Sequence, residues 1–451
     1  MTIPAQRQHE TEQLERLSTL VADILAEAKQ QGASAAEAGL SVDRGLSVTV
    51  RLGEVETIEH HRSQGLGVTV YFGQSKGTAR SSDLSALAVR ETVAAACRIA
   101  KHAAADEYAG LPDADLLATE FPDLDLYHPW DLVADDAIEL AKICEGAARA
   151  YHPDISNSEG ANLNTYQGLS VSGNSLGFLH GYPSSYHSLN CSVIAGVGEN
   201  MQRSDWGTVA RDVTDMESAE SVGCKAAERA VSRLGARSLS TRHCPVIFAA
   251  EVARGLVGHF ISAIRGGSLY RKSSFLLDQL GKPVFPGFIH IHEQPHLLRA
   301  LGSAPYDGEG VATHPHDLVK DGILQSYVLS TYSARKLGMK TTGNAGGSVH
   351  NLIVDPGDLD LPALLKKMGS GLLVTELMGQ GVNIVTGDYS RGAVGFWVEK
   401  GEIQFPVEEI TIAGNLKDLF MKIMAVGSDV DLRGNTRTGS ILISEMTVAG
   451  N

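Results

Sequence analysis

The chain has 451 residues, of which 43% are hydrophobic and 20% charged, and its formal net charge is −15. This composition excludes a disordered chain, and no apolar run reaches the roughly 18 residues of a membrane-spanning helix, so no membrane partner is expected. The negative charge disfavours a nucleic-acid partner, because phosphate contacts require clustered Lys and Arg.

The cysteines and the first residues indicate the cellular compartment. Five cysteines are scattered along the chain without a CxxC pair, which is typical of reduced thiols. The opening residues have neither a basic n-region nor an apolar h-region, so no secretion signal is predicted. Together these features predict a cytoplasmic protein.

Helical periodicity opens the chain, and strand-like alternation follows it. Leu14, Leu17 and Val21 recur at steps of three and four, which predicts an amphipathic helix over residues 11–31 that ends at Gly32. Apolar and polar residues then alternate in four segments, three of them bounded by glycine, which predicts a meander of antiparallel strands over residues 46–54, 54–61, 65–73 and 76–83.

Helices and strands follow in irregular order up to residue 234. Asp83 is placed as the N-cap of a helix that runs to about Ala104. A further helix is predicted near residues 134–150. Strands over residues 168–195 then precede a helix over 217–234, so no regular βαβ repeat is present.

A connector divides the chain. Residues 235–245 have the Gly, Ser and Pro content of a linker, which predicts two domains, an N-terminal α+β domain over 1–237 and a glycine-rich, strand-dominated C-terminal domain over 238–451. The second domain contains a predicted helix over 251–264, a late helix over 415–426 and a last strand over 439–450. The fold class is therefore α+β, with antiparallel sheets and packed helices.

The HEQPH segment formally matches the HExxH zinc motif. In that motif two histidines four residues apart on a helix chelate one zinc ion, and the glutamate activates the bound water. Pro295 interrupts the helix that this geometry needs, so an accidental match is the main interpretation. A metal site built from His292, Glu293 and His296 stays an alternative, because His290 and His292 would share one face of a strand.

Two further patterns are weighed against local structure. GNSLG at residues 173–177 matches the GxSxG nucleophile motif, but both flanks have strand character, so a hairpin turn is predicted instead. Between Gly387 and Gly392 lies a polar cluster of Asp388, Tyr389, Ser390 and Arg391, and functional residues are common in such loops. A hairpin end with a local Asp–Arg pair is the equal alternative.

Longer segments resemble a known family over nearly the whole chain. They include GLSVTVRLGEVETIEHH in the first half, and GHFISAIRGGSLYRKSSFLLDQLGK and TELMGQGVNIVTGDYSRGAVGFWVEKGEIQFPVEEITIAGNLKD in the second. These segments are similar to the TldD/PmbA family of metalloproteases, and specifically to its TldE (PmbA) branch. The matches are long and ungapped in several places, so they are far more specific than the short motifs.

The resemblance implies one half of a two-subunit protease. In the family, the TldD branch carries a helical HExxxH zinc motif and a more C-terminal cysteine ligand, and the TldE branch pairs with it. The assembly cleaves unfolded peptides, including a microcin precursor and an antitoxin. A peptide enters its enclosed cavity in extended form.

The zinc motif of the family falls on a degenerate segment of this chain. His259 matches the first ligand, whereas Phe260 replaces the glutamate and Ile264 replaces the second histidine. The cysteine position falls near Thr438, and no cysteine follows Cys244. One remaining ligand does not hold zinc. The resemblance therefore implies no catalytic residue, metal or cofactor in this chain, and zinc in the TldD-type partner.

We therefore expect a structural and substrate-guiding subunit that is catalytically inactive alone. Its expected partners are a TldD-type subunit and extended peptides, which can add to sheet edges as strands. Asn344, Asp388 and Arg391 are the candidate substrate-binding residues. A homodimer is expected to be possible in isolation. The alternatives are an active metallohydrolase using the HEQPH histidines and glutamate, and a non-enzymatic regulator.

Overall fold

The structure, a computed structural model, describes residues 3–450, with side chains from His9 onward. The elements of the N-terminal half are α1 (Ile3–Gln30), β1 (Ala35–Arg51), β2 (Glu54–Phe72), β3 (Ser75–Ser81), α2 (Ala86–His102), α3 (Ala134–Ala150), β4 (Ile155–Asn174), β5 (Leu179–Ala195), β6 (Gln202–Ala210) and α4 (Ala219–Ser232). Within the described residues, no helix combines the length and apolar character needed to span a membrane.

The C-terminal half contains more and shorter elements. They are β7 (Arg242–Phe248), α5 (Ala250–Ile264), α6 (Gly266–Tyr270), β8 (Ile291–Glu293), β9 (His316–Lys320), β10 (Ile323–Leu324), α7 (Thr331–Lys336), β11 (Leu352–Val354), α8 (Leu361–Met368), β12 (Gly371–Met378), β13 (Asp388–Glu399), β14 (Glu402–Asn415), α9 (Leu416–Met421), β15 (Ile423–Val426), β16 (Thr436–Arg437) and β17 (Ile441–Ala449).

The N-terminal half is built on one antiparallel sheet with the strand order β3-β2-β1-β4-β5-β6. On β1, alternate residues such as Leu40 and Val48 are buried, so one face of the sheet is apolar. Helices α1 and α2 pack on one end of that face, and α3 and α4 pack on the other. All four helices therefore cover the same side of the sheet.

The opposite face of this sheet is polar. Ser47 Oγ donates a hydrogen bond of 2.6 Å to Asn164 Oδ1 across the β1–β4 pair. One step along the strands, Asn162 Nδ2 donates to Thr49 Oγ1 at 2.8 Å. Short amide and hydroxyl side chains thus line the side of the sheet that the helices leave uncovered.

Strand β2 has a long open edge. β3 pairs with β2 only from Leu66 to Phe72, so over Glu54–Gln64 the described residues place β1 on one side and no strand on the other. Every residue of Glu54–Gln64 is exposed. The prediction of two separate strands over 54–61 and 65–73 is wrong, because the polar residues between them continue the pairing with β1.

Most predicted helices agree with the structure, and three of their details do not. Helices α3, α4 and α5 lie within two residues of their predicted bounds, whereas α1 begins at Ile3 and not at residue 11. The N-cap of α2 is Ser85, whose hydroxyl accepts from Ala88 N, whereas Asp83 accepts from Ser85 N at 2.8 Å. The late helix ends at Met421, because the apolar residues after it form β15 and pair with β17.

The GxSxG-like segment is a hairpin turn, as predicted. Asn174 ends β4, and Leu179 begins β5. The Ser175 hydroxyl accepts a hydrogen bond of 3.0 Å from Ala36 N, so it fixes the turn to β1. A nucleophile at this serine would need a strand-to-helix turn, and the structure has two strands here.

Five strands of the C-terminal half close into a ring. They follow the order β14-β13-β12-β7-β17, and β14 pairs again with β17. One face of these strands packs against α5 and α9 in the largest apolar core. The other face packs against α8. A smaller sheet, β10-β9-β8-β11-β16, lies beside the ring.

Buried contacts join the two halves. Arg211 follows β6, and its guanidinium donates to the carbonyls of Ser185, Ala300 and Leu301 at 3.1, 3.0 and 2.9 Å. Tyr306 OH donates to the His180 carbonyl at 3.1 Å. The division into domains 1–237 and 238–451 stays a prediction.

Candidate functional site

Helix α5 carries the residues that match the family zinc motif. Phe260 and Ile264 are one turn apart on its inner face, and both are 0% exposed. The Phe260 ring packs edge-on against Phe285 and Phe420, with centroids 5.1 and 6.1 Å away. Residues at these two positions therefore point into the apolar core, where an ion with its bound water does not fit.

His259 lies beside a tyrosine and an arginine of β13. Its ring meets the Tyr389 ring edge-on, with centroids 5.9 Å apart. Tyr389 and Arg391 are two residues apart on the strand, so they share one face. We call His259, Tyr389 and Arg391 the α5–β13 cluster.

The protonation states within the cluster are fixed by burial and by the arginine. Burial and the nearby Arg391 charge lower the pKa of His259, which keeps its ring neutral near pH 7. Burial raises the pKa of Tyr389 to about 12, although Arg391 opposes this shift, so the phenol keeps its proton. The cluster therefore presents one permanent positive charge and neutral donors.

The other family ligand position does not supply a metal donor. Thr438 is fully buried, and its hydroxyl donates to the Gly439 carbonyl at 3.0 Å. Cys244 is buried on β7 as a free thiol. Among residues 3–450, no group of three or more His, Cys, Asp or Glu side chains is arranged to hold a metal ion. The residues present at these positions do not fit a zinc ion.

The HEQPH residues are directed to separate partners. His292 and Glu293 end β8, so the segment is a strand and not the helix of a zinc motif. Glu293 is 1% exposed and accepts hydrogen bonds from Asn344 Nδ2 and from the backbone of His350. His296 Nε2 lies 3.1 Å from Thr313 Oγ1. The metallohydrolase alternative finds no convergent ligand set in this geometry.

His290 and His292 do share one face of the strand. Asp355 bridges them, with one oxygen 3.0 Å from His290 Nδ1 and the other 2.9 Å from His292 Nε2. The second nitrogen of His290 lies 2.8 Å from Asp317. Burial opposes the charged ring, but the two aspartates outweigh it and raise the pKa of His290.

We expect the His290 pairs to stabilise the fold at lower pH. A raised folded-state pKa means that this contribution is complete below the ordinary histidine pKa of about 6.5 and is lost as the pH rises through the raised value. The free energy of unfolding of His290→Gln, measured by thermal unfolding, should therefore fall less between about pH 6 and about pH 9 than that of the parent. The difference should be at most about 1 kcal/mol. Exposed His60→Gln is the control, and equal slopes for His290→Gln and parent would contradict the expectation.

Of the three candidate substrate-binding residues, the structure places only one beside α5. Arg391 joins His259 there. Asn344 is fully buried and holds Glu293, with donor–acceptor distances of 3.1 Å to both carboxylate oxygens, so its amide does not face a groove. Asp388 is exposed and accepts from Thr386 Oγ1 at 2.6 Å. No local Asp388–Arg391 pair forms among the described side chains.

A large cleft lies near the HEQPH segment. Its volume is about 980 Å³, and its lining includes residues 115–117 and 119–122 together with His296, His314 and His316. Burial and two neighbouring histidines lower the pKa of His296. Sequence patterns did not point to the cleft, because its walls come from distant segments.

The chain matches three family models. They are the PmbA/TldA metallopeptidase domain 1 over residues 36–100, the central domain over 127–234 and the C-terminal domain over 241–450. The chain is 51% identical over 426 residues to Metalloprotease PmbA of Escherichia coli O157:H7, which covers 94% of each chain. It is 52% identical over 425 residues to the Metalloprotease PmbA homolog of Haemophilus influenzae, again over 94% of each chain.

Solved structures show the same architecture. A Bacteroides thetaiotaomicron protein described as a modulator of DNA gyrase superposes with a TM-score of 0.91 at 26% identity, over 96% of this chain and 98% of that chain. TldE from Thermococcus kodakarensis superposes with a TM-score of 0.82 over 96% and 100% of the two chains, and its 18% identity shows the fold alone.

Fold and sequence together define an α+β protein that shares the architecture of these relatives. The chain belongs to the PmbA/TldD metallopeptidase family. The fold class and the family resemblance predicted from the sequence are both confirmed.

Proposed function

We propose that this chain is the TldE-type subunit of a two-subunit cytoplasmic zinc protease and that a TldD-type partner supplies the metal and the hydrolytic chemistry. The supporting observation is the burial of Phe260 and Ile264. The positions of the general base and of the second zinc ligand lie in the apolar core, so this chain has no water-activating group there.

The role of the chain would then be to hold the substrate and to complete the cavity wall. The face of the N-terminal sheet that no helix covers is lined with short amides and hydroxyls, which suit contact with a peptide backbone. The open edge of β2 over Glu54–Gln64 offers backbone groups to an extended strand. Both features favour unfolded peptides over folded proteins as substrates.

A reconstitution assay tests the proposal. Cleavage of an unfolded peptide pool is measured with this chain alone, with its TldD-type partner alone and with the mixture, and the metal content of each protein is determined. We expect turnover only in the mixture and its loss with a chelator, because the zinc resides in the partner.

Two results would overturn the proposal. One is turnover by this chain alone with tightly bound zinc that is lost in His292→Ala, which would establish the metallohydrolase alternative. The other is full activity of the partner without this chain. A homodimer of the isolated chain is compatible with the proposal, since the partner is then absent.

A further inference from the structure

Three polar atoms of the α5–β13 cluster lack a hydrogen-bond partner among the described residues. They are His259 Nε2, Tyr389 OH and Arg391 Nε, and all three are shielded from solvent. Tyr389 is only 2% exposed. Buried donors are nearly always paired in native proteins. Three unpaired donors at one place therefore indicate a site that a ligand completes.

The charge of the cluster selects the kind of ligand. Among the ion pairs of the described residues none involves Arg391, and its long hydrogen bond of 3.4 Å to the Leu377 carbonyl holds it weakly. The chain as a whole carries a net charge of −15. An unpaired guanidinium beside two neutral donors in such a protein fits an anion with two or more oxygens.

The cluster can be approached from the outer face of α5. His259 and Arg391 are half-buried, whereas Tyr389 is buried. Gly255 and Gly258, on the turn before His259, have open space where a side chain would project. A chain end therefore has room to lie along this part of the helix.

We propose that the α5–β13 cluster binds the C-terminal carboxylate of an extended peptide. The planar guanidinium of Arg391 takes the two oxygens side by side, and the Tyr389 hydroxyl and a ring N–H of His259 donate to them. The peptide as ligand rests on the proposed function, whereas the carboxylate follows from the donors themselves. The α5–β13 cluster is thus an anchor for the end of the substrate.

Peptide binding to the isolated chain tests the anchor. The probe is a fluorescein-labelled pool of unfolded decapeptides, synthesised once with a free C-terminal carboxylate and once with a C-terminal amide. We expect the amide pool to bind about tenfold more weakly by fluorescence anisotropy, because a hydrogen-bonded charge is lost. Arg391→Gln should remove the difference between the pools, and Tyr389→Phe should reduce it severalfold.

Controls separate the anchor from folding and from protease assembly. Arg98→Gln changes an exposed arginine of α2 and should leave the preference intact. Thermal unfolding of each variant shows whether it folds. If Arg391→Gln does not fold, the conservative Tyr389→Phe variant still tests the preference for the carboxylate pool. Equal affinity of the two pools for the parent chain, or competition by acetate as effective as by the carboxylate peptides, would overturn the anchor. Failure of the proposed function would appear separately, as turnover without the partner.

Discussion

Replacing Phe260 with alanine is expected to lower the free energy of unfolding by about 3–5 kcal/mol. The ring is 0% exposed and lies between Phe285 and Phe420, so its removal leaves a cavity that the surrounding strands cannot close. The lowered stability has two parts: the hydrophobic free energy of burying the ring, and the van der Waals contacts that the neighbouring side chains no longer make. Urea unfolding followed by tryptophan fluorescence measures the effect as a lower midpoint.

Phe288 provides a matched control for this exchange. It is the same residue type in the same half of the chain, but it is 56% exposed. Phe288→Ala should change the stability by less than about 1 kcal/mol. If both variants unfolded at the parent midpoint, Phe260 would not be a core residue, and the argument that this position cannot carry a catalytic glutamate would fail with it.

Replacing Arg211 with methionine should lower the free energy of unfolding by about 3–4 kcal/mol, because three carbonyls lose a charged hydrogen-bond donor at once. Arg211 is 9% exposed, and its three nitrogens bind Ser185 in β5 and Ala300 and Leu301 in the other half of the chain. Burial lowers the pKa of Arg211, although the guanidinium stays charged. The side chain therefore joins the two halves through a buried fork of donors.

Two comparisons test whether the hydrogen bonds of the Arg211 guanidinium cause the loss of stability. Arg211→Lys keeps the charge but not the planar arrangement, so it should recover only part of the loss. Arg90→Met changes an exposed arginine of α2 and should have little effect. Limited proteolysis adds a second measurement, since loosened halves would expose the segment near residues 235–245. Equal stability of Arg211→Met and parent would show that the contacts do not hold the halves together.

Local signals in the sequence located the long helices well. In α3, buried Ala137, Ala141 and Cys144 recur at helical spacing, and this periodicity is visible without the structure. Strand β2 was split in the prediction, because the polar residues 62–64 interrupt the apolar alternation of the sequence although they continue the pairing with β1. The late helix was too long in the prediction, since apolar residues after Met421 fit a helix and a buried strand equally well.

The sequence also located some residues of the candidate site and not others. His259, Phe260 and Ile264 were located by family resemblance, and the structure explains the last two as core residues. Tyr389 was placed in a polar cluster of the loop, but its contact with His259 was not predicted, because it joins two segments that are distant in the chain. The available signal was the spacing of Tyr389 and Arg391, which places both on one face of any strand that contains them.

The closed ring of β7, β12, β13, β14 and β17 has a consequence for biosynthesis. β17 lies between its first strand, β7, and the late strands β14 and β15, so the ring cannot form until residues 441–449 have left the ribosome. Until then one edge of β7 lacks its partner strand while most of the chain already exists. Such late, non-local pairing slows folding and favours aggregation, so production of this protein should depend strongly on chaperones and on growth temperature.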